Sequence, residues 1–120
     1  MVRIDGTQFG EVTIDKKKYH QVLIVGDKVE ERDYKKLKEM FDTAHKIGDW
    51  EVEKLLRNNP EVIVIGTGQN GAMQVDEDLT KKLTANSSKL IIAETPKAIE
   101  IYNEKIKQGG KTNALIHTTC

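Results

Sequence analysis

The chain has 120 residues, 32% of them charged and 38% hydrophobic, and its 19 Lys plus Arg balance its 19 Asp plus Glu. This length predicts one domain over residues 1–120, with a core large enough to fold alone. Zero net charge argues against broad binding to nucleic acid or to an anionic membrane, and no apolar run of about 20 residues predicts a membrane span.

Phe9 to Asp15 alternates, with Val12 and Ile14 on one face and Glu11 and Thr13 on the other. This reads as a strand with one wet side. Asp15-Lys16-Lys17-Lys18 reads as a polar turn, with phosphate binding as the less economical reading of the lysines. Tyr19 to Val25 is a second, more apolar strand, so the two are expected to pair as a β-hairpin. Gly26 to Gly48 is dense in charge and long for a loop. Within it, Leu37, Met40, Phe41 and Ala44 could line one helical face.

Asp49 is expected to cap a helix with Val52, Leu55 and Leu56 inward, and Asn58-Asn59-Pro60 to stop it. Trp50 reads as an anchor at the start of that helix. Val62-Ile63-Val64-Ile65 is an unbroken β-branched run, the composition of a strand buried on both faces. Asp76 is a plausible N-cap for a helix carrying Leu79 and Leu83. Lys89 to Ala93 is a short strand, which completes a right-handed, parallel βαβ unit. The last helix is the best marked, with Thr95 as N-cap, Pro96 at its first position and Gly109 after its end. Ala98, Ile99, Tyr102 and Ile106 form its stripe, and Asn113 to His117 is a final strand. The sum is α/β: a mixed sheet with an N-terminal hairpin, one βαβ unit and helices on its faces.

Gly66-Thr67-Gly68-Gln69-Asn70-Gly71 matches the dinucleotide pattern G-x-G-x-x-G and follows a strand, with Glu94 where a ribose-binding acid would lie. Against that reading, the next helix starts only at Asp76, outside the motif, and the chain has room for one βαβ unit. A bare glycine turn, or a small anion held by backbone N–H groups, are the other readings. His45, His117 and Cys120 are the chemically versatile side chains. His117 and Cys120 could act as base and nucleophile, or with His45 as three ligands of a metal. The simpler reading is a half-buried histidine closing a strand and an inert thiol. No paired carboxylates, C-x-x-C, H-E-x-x-H, G-x-S-x-G or P-loop pattern stands out. Neither a cofactor nor a metal is expected. Cys120, as the lone cysteine, cannot form an internal disulfide, and MVRIDGTQFG resembles neither a signal nor a transit peptide, so the cytosol is expected.

Three blocks resemble the adipogenesis-associated Mth-type domain family: Pro60 to Gly68, Thr95-x-x-Ala98 with Tyr102-Asn103, and Ile116-His117-Thr118-Thr119-Cys120. The resemblance runs from Phe9-Gly10 to Cys120, and the ending His-x-Thr-Cys is its most specific part. It implies a three-layer fold whose C-terminal strand lies inside the sheet, between the hairpin and the βαβ strands. It carries no established enzymatic activity, and the eukaryotic relatives include a respiratory complex I assembly factor. Thr43-Ala44-His45 stands where archaeal relatives have Thr-Ser-His, and Asp42 where Gly is usual, which speaks against a shared catalytic role for that loop.

The expectation is therefore a non-catalytic cytoplasmic binding or assembly factor, contacting a protein partner, a small anion or a small molecule as a monomer or weak homodimer. The alternative is a small enzyme or ligand-binding protein whose site unites Gly66, Thr67, Gly68, Asn70 and Gly71 with Thr43, His45, His117 and Cys120. Nucleotide binding at the glycine loop is a third reading.

Overall fold

The structure, a computed structural model, describes residues 2–120. It holds two sheets. The smaller consists of β1 (Ile4–Gln8), β2 (Glu11–Ile14) and β3 (Lys17–Tyr19), all antiparallel. The larger is mixed, in the order β5-β4-β8-β6-β7, built from β4 (Val22–Val25), β5 (Lys28–Glu31), β6 (Val62–Thr67), β7 (Lys89–Ala93) and β8 (Thr112–His117). β8 runs antiparallel to β4 and parallel to β6, and β6 runs parallel to β7. The last strand is thus interior, and every residue of β6 and β8 is buried.

Four helices complete the described residues: α1 (Tyr34–Phe41), α2 (Asp49–Leu55), α3 (Glu77–Thr84) and α4 (Thr95–Lys107). Ala98, Ile99 and Tyr102 of α4 pack one face of the large sheet, through Val22, Ile24, Val64, Ala114 and Ile116, and share that core with Ile4, Val12 and Ile14 of the small sheet. Val52, Leu55 and Leu83 of α2 and α3 pack the other face, through Leu23, Ile63, Ile65 and Leu115. This is the expected three-layer arrangement. Among the described residues, no helix is long and apolar enough to cross a membrane.

The N-terminal half departs from the sequence reading. The two expected strands become three, because His20 and Gln21 break the Tyr19–Val25 run, and only its second half enters the large sheet. The turn between β2 and β3 is Asp15-Lys16 alone, both at positive φ, the backbone of a two-residue hairpin turn without the usual Asn-Gly. Lys17 and Lys18 belong to β3. β1 and β5 were not expected. The hairpin beside β8 is β4–β5, turning at Gly26-Asp27.

The caps also shift. Asp49 is the first residue of α2, not its cap. Gly48 takes that place, because the Trp50 ring lies where a Cβ on residue 48 would stand, 2.3 Å from a ring carbon. Glu51 reaches back to accept the Gly48 N–H at 3.0 Å. α1 buries only Leu37, and Met40 is 59% exposed, since the helix ends at Phe41 with Asp42 in the left-handed region. Glu94, not Thr95, caps α4, because the Thr95 hydroxyl is engaged with the Gly68 N–H and the His117 carbonyl. Asp76 caps α3 as expected, taking the Leu79 N–H at 2.8 Å.

Candidate functional site

The carboxyl ends of β6 and β8 lie side by side, with Thr67 opposite His117. In open α/β sheets this is where ligands bind. Four segments converge there: the glycine loop after β6, residues 118–120 after β8, the loop between α1 and α2, and the start of β4.

The glycine loop is filled by the chain itself. The N–H of Gln69 donates to the Thr119 carbonyl at 2.7 Å, and those of Asn70 and Ala72 donate to the Cys120 main-chain oxygen at 3.1 and 2.8 Å. Gly68 has φ +111°, and a Cβ there would stand 2.4 Å from the Cys120 carbonyl carbon, so only glycine admits the crossing segment. The amides that would cradle a pyrophosphate are bonded to protein oxygens. α3 starts at Glu77, well beyond Gly71, so no helix N-terminus points into the loop. Both facts speak against dinucleotide binding.

Gly66 is inside β6, where a Cβ would stand 3.0 Å from the Thr95 hydroxyl oxygen. Thr67 donates its hydroxyl to the Ala93 carbonyl at 3.1 Å. The Thr95 hydroxyl accepts the Gly68 N–H at 2.9 Å and donates to the His117 carbonyl, which ties three segments at one oxygen. Gly71 turns at φ +71° beside Glu94.

His117 is fully buried and carries the polar core of the site. Its Nδ1 is 2.8 Å from Gln21 Oε1, and that oxygen also accepts Arg32 Nη1–H at 2.8 Å. An amide oxygen only accepts, so Nδ1 bears the proton and Nε2 is the free base. The Thr119 hydroxyl, 3.2 Å from Nε2, then donates to it. Gln21 Nε2 faces His20 Nε2 at 3.5 Å, and His20 Nδ1 lies 2.9 Å from the Gly10 carbonyl. These partners fix the Gln21 amide and both tautomers in one consistent pattern. Burial first, then Arg32, His45 and His20, lower the His117 pKa to about 4, so the imidazole is neutral near pH 7.

Arg32 is a junction. Its guanidinium makes a bidentate pair with Glu51, Nε to Oε2 at 2.7 Å and Nη2 to Oε1 at 2.9 Å, with both side chains buried. Its remaining N–H groups reach the carbonyls of Ala44 and Lys46 at 3.0 and 2.8 Å. Arg32 therefore moulds the loop that carries His45. The His45 ring stands edge-on to His117, centroids 4.9 Å apart. Among the described residues, every fully buried side-chain nitrogen or oxygen has a hydrogen-bond partner.

A cleft of about 570 Å³ opens beside His45, between residues 43–49 and residues 72–82. Thr43, His45, Lys46, Gln74, Asp78 and Lys82 are among the side chains that line it. The structure thus brings His45 to His117 and lays the backbone of residue 120 on the glycine loop. The Cys120 residue itself is exposed. Among the described residues, no group of three His, Cys, Asp or Glu side chains is placed to hold a metal ion.

A family model described as "Protein of unknown function (DUF498/DUF598)" matches residues 4–117. The chain belongs to this Mth938-like family. The solved structure of MT938 is 29% identical, with both chains covered completely and a TM-score of 0.80. The conserved hypothetical protein PH1505 from Pyrococcus horikoshii OT3 is also 29% identical, with 98% of this chain and 99% of that one covered and a TM-score of 0.82. A Bordetella pertussis protein described as a Mth938-like domain shares the fold at 14% identity, with 97% of this chain and 85% of that one covered and a TM-score of 0.64.

In this Mth938-like chain, sequence reasoning overlooked Gln21, Arg32, Glu51 and Thr119. Arg32 and Glu51 are two charges among many, 19 positions apart, and composition says nothing of their burial. One signal existed: Glu51 stands three residues after Gly48, the spacing of a residue that reaches back to a helix cap.

Proposed function

We propose that this Mth938-like chain is a non-catalytic binding module of the cytoplasm, and that the cleft between residues 43–49 and 72–82 takes a small polar ligand or a side chain of a protein partner. One observation carries the reading. The imidazole best placed for chemistry, His117, has an amide backed by a guanidinium on its Nδ1 side, where an acid–base triad places a carboxylate. A positive group there opposes imidazolium formation, so Nε2 is a poor proton acceptor for turnover. The cleft wall, by contrast, is preorganised by Arg32, which favours binding.

The test is a screen of small polar compounds by amide chemical shifts, paired with turnover assays on the same compounds. Saturable shifts confined to residues 43–49 and 72–82, without product, are the expected result. The reading fails if a compound is turned over and both His117→Ala and Cys120→Ala abolish the activity.

A second reading rests on the Thr119 hydroxyl against His117 Nε2 and on His45 beside it. It makes these residues, with the glycine loop, a small active site. It predicts turnover that Thr119→Val removes and Thr119→Ser restores.

A further inference from the structure

We propose that β7 is a homodimerisation edge, along which two copies of this chain join their large sheets antiparallel across a two-fold axis. The inference is independent of the cleft. The two edges of the large sheet differ in kind. β5, at one end, carries Lys28, Glu30 and Glu31, and charges on an edge oppose pairing with another strand. β7, at the other end, reads Lys89-Leu90-Ile91-Ile92-Ala93, with no charge after its first residue.

The backbone of β7 shows which groups face outward. The Lys89 N–H donates to the Glu61 carbonyl at 2.9 Å, and the Ala93 carbonyl accepts the Thr67 hydroxyl at 3.1 Å. Lys89, Ile91 and Ala93 therefore bond inward, toward β6. Leu90 and Ile92, which alternate with them, direct their N–H and C=O groups away from the sheet. Their side chains lie on the sheet face that α3 covers. α3 shelters Leu90 with the Leu79 and Leu83 core, but leaves Ile92 44% exposed.

A second copy meets both needs at once. Only residues with outward groups can exchange hydrogen bonds across a new antiparallel pair. The register centred on Ile91 sets Leu90 opposite the partner's Ile92 and Ile92 opposite the partner's Leu90. It makes about four main-chain hydrogen bonds and covers each exposed isoleucine with a leucine. Symmetry sets the direction: two copies of one edge related by a two-fold axis perpendicular to the sheet run antiparallel.

Sedimentation velocity over a wide concentration range tests this. The chain should show a concentration-dependent dimer. Ile92→Lys should weaken it by about tenfold or more, and Met40→Lys, on α1, should leave it unchanged. Circular dichroism verifies that each variant folds. In a Cys120→Ser background, Ile91→Cys should cross-link two copies on oxidation, because the two-fold axis places residue 91 opposite itself. A monomer at every concentration overturns the proposal, whether the edge then stays bare or takes a different protein's strand. A dimer that ignores Ile92→Lys, or that forms while Ile91→Cys stays uncross-linked, overturns it as well.

Discussion

His117 shows how one side chain can look reactive and be committed to structure. Its Nδ1–H is fixed by Gln21 and its Nε2 accepts from Thr119, so both nitrogens have protein partners. Burial opposes a charge on this ring, and Arg32, His45 and His20 add to the cost of a second positive group, which is why the pKa falls from 6.5 to about 4. The consequence for stability has a definite sign. Between those two values the unfolded chain takes up a proton that the folded chain refuses, so stability declines as pH falls through that window. Below about pH 4 this contribution is gone. A shift of this size corresponds to about 3 kcal/mol. His117→Gln keeps an N–H for Gln21 and has no titrating group. Urea unfolding across the window should give a shallower pH dependence for the variant, and the difference between the two curves isolates the histidine. Parallel curves would mean that the folded imidazole titrates normally.

At the scale of elements, the loop between α1 and α2 is held less by its own contacts than by one ion pair. Arg32, just after β5, and Glu51, in α2, close over it, and Arg32 binds the Ala44 and Lys46 carbonyls. Removing the guanidinium alone leaves a carboxylate buried without its partner. Arg32→Met should therefore destabilise the fold by about 3–5 kcal/mol, while Arg32→Met with Glu51→Leu should recover much of that loss. Chemical denaturation of the single and double variants gives the coupling directly. The pairing of these two charges was not visible in the sequence, where only the spacing of Glu51 from Gly48 hinted at a structural role. Elements were legible where local chemistry decides them: the β-branched run of β6, Asp76 ahead of α3, and Gly109 after α4. They were misread where a distant group overrides local preference. Thr95 would cap α4 if its hydroxyl were not drawn to Gly68 and His117, and Asp49 would cap α2 if Trp50 did not require a glycine at residue 48.

For the whole molecule, the same division follows sequence distance. The βαβ unit is built from neighbours in the chain and was read correctly, whereas the site joins His117 to Gln21 across 96 positions and the Thr95 hydroxyl to Gly68 across 27. No periodicity encodes such meetings. The central place of β8 came only from family resemblance, and the β4–β5 hairpin beside it was not foreseen. This architecture predicts an uneven distribution of stability. β4, β6 and β8 lie within the sheet, with helices over both faces of the core, while α1 buries only Leu37 and otherwise rests on half-exposed ring contacts of Tyr34, Lys36 and Phe41 with His20 and Trp50. Amide exchange on such a chain ranges from local fraying up to global unfolding. The amides of Val22–Val25, Val62–Thr67 and Thr112–His117 that bond between strands should exchange only through global unfolding, and share one opening free energy. Those of α1 should open at a small fraction of it. Residues 118–120 are the informative intermediate. Thr118 donates its hydroxyl to the His20 carbonyl and accepts the Gly10 N–H, and the glycine loop holds the next two carbonyls. The Gln69 and Ala72 amides should therefore be protected with the core strands. Fast exchange at these two amides, with β8 still protected, would show that the segment leaves the loop while the sheet stays whole.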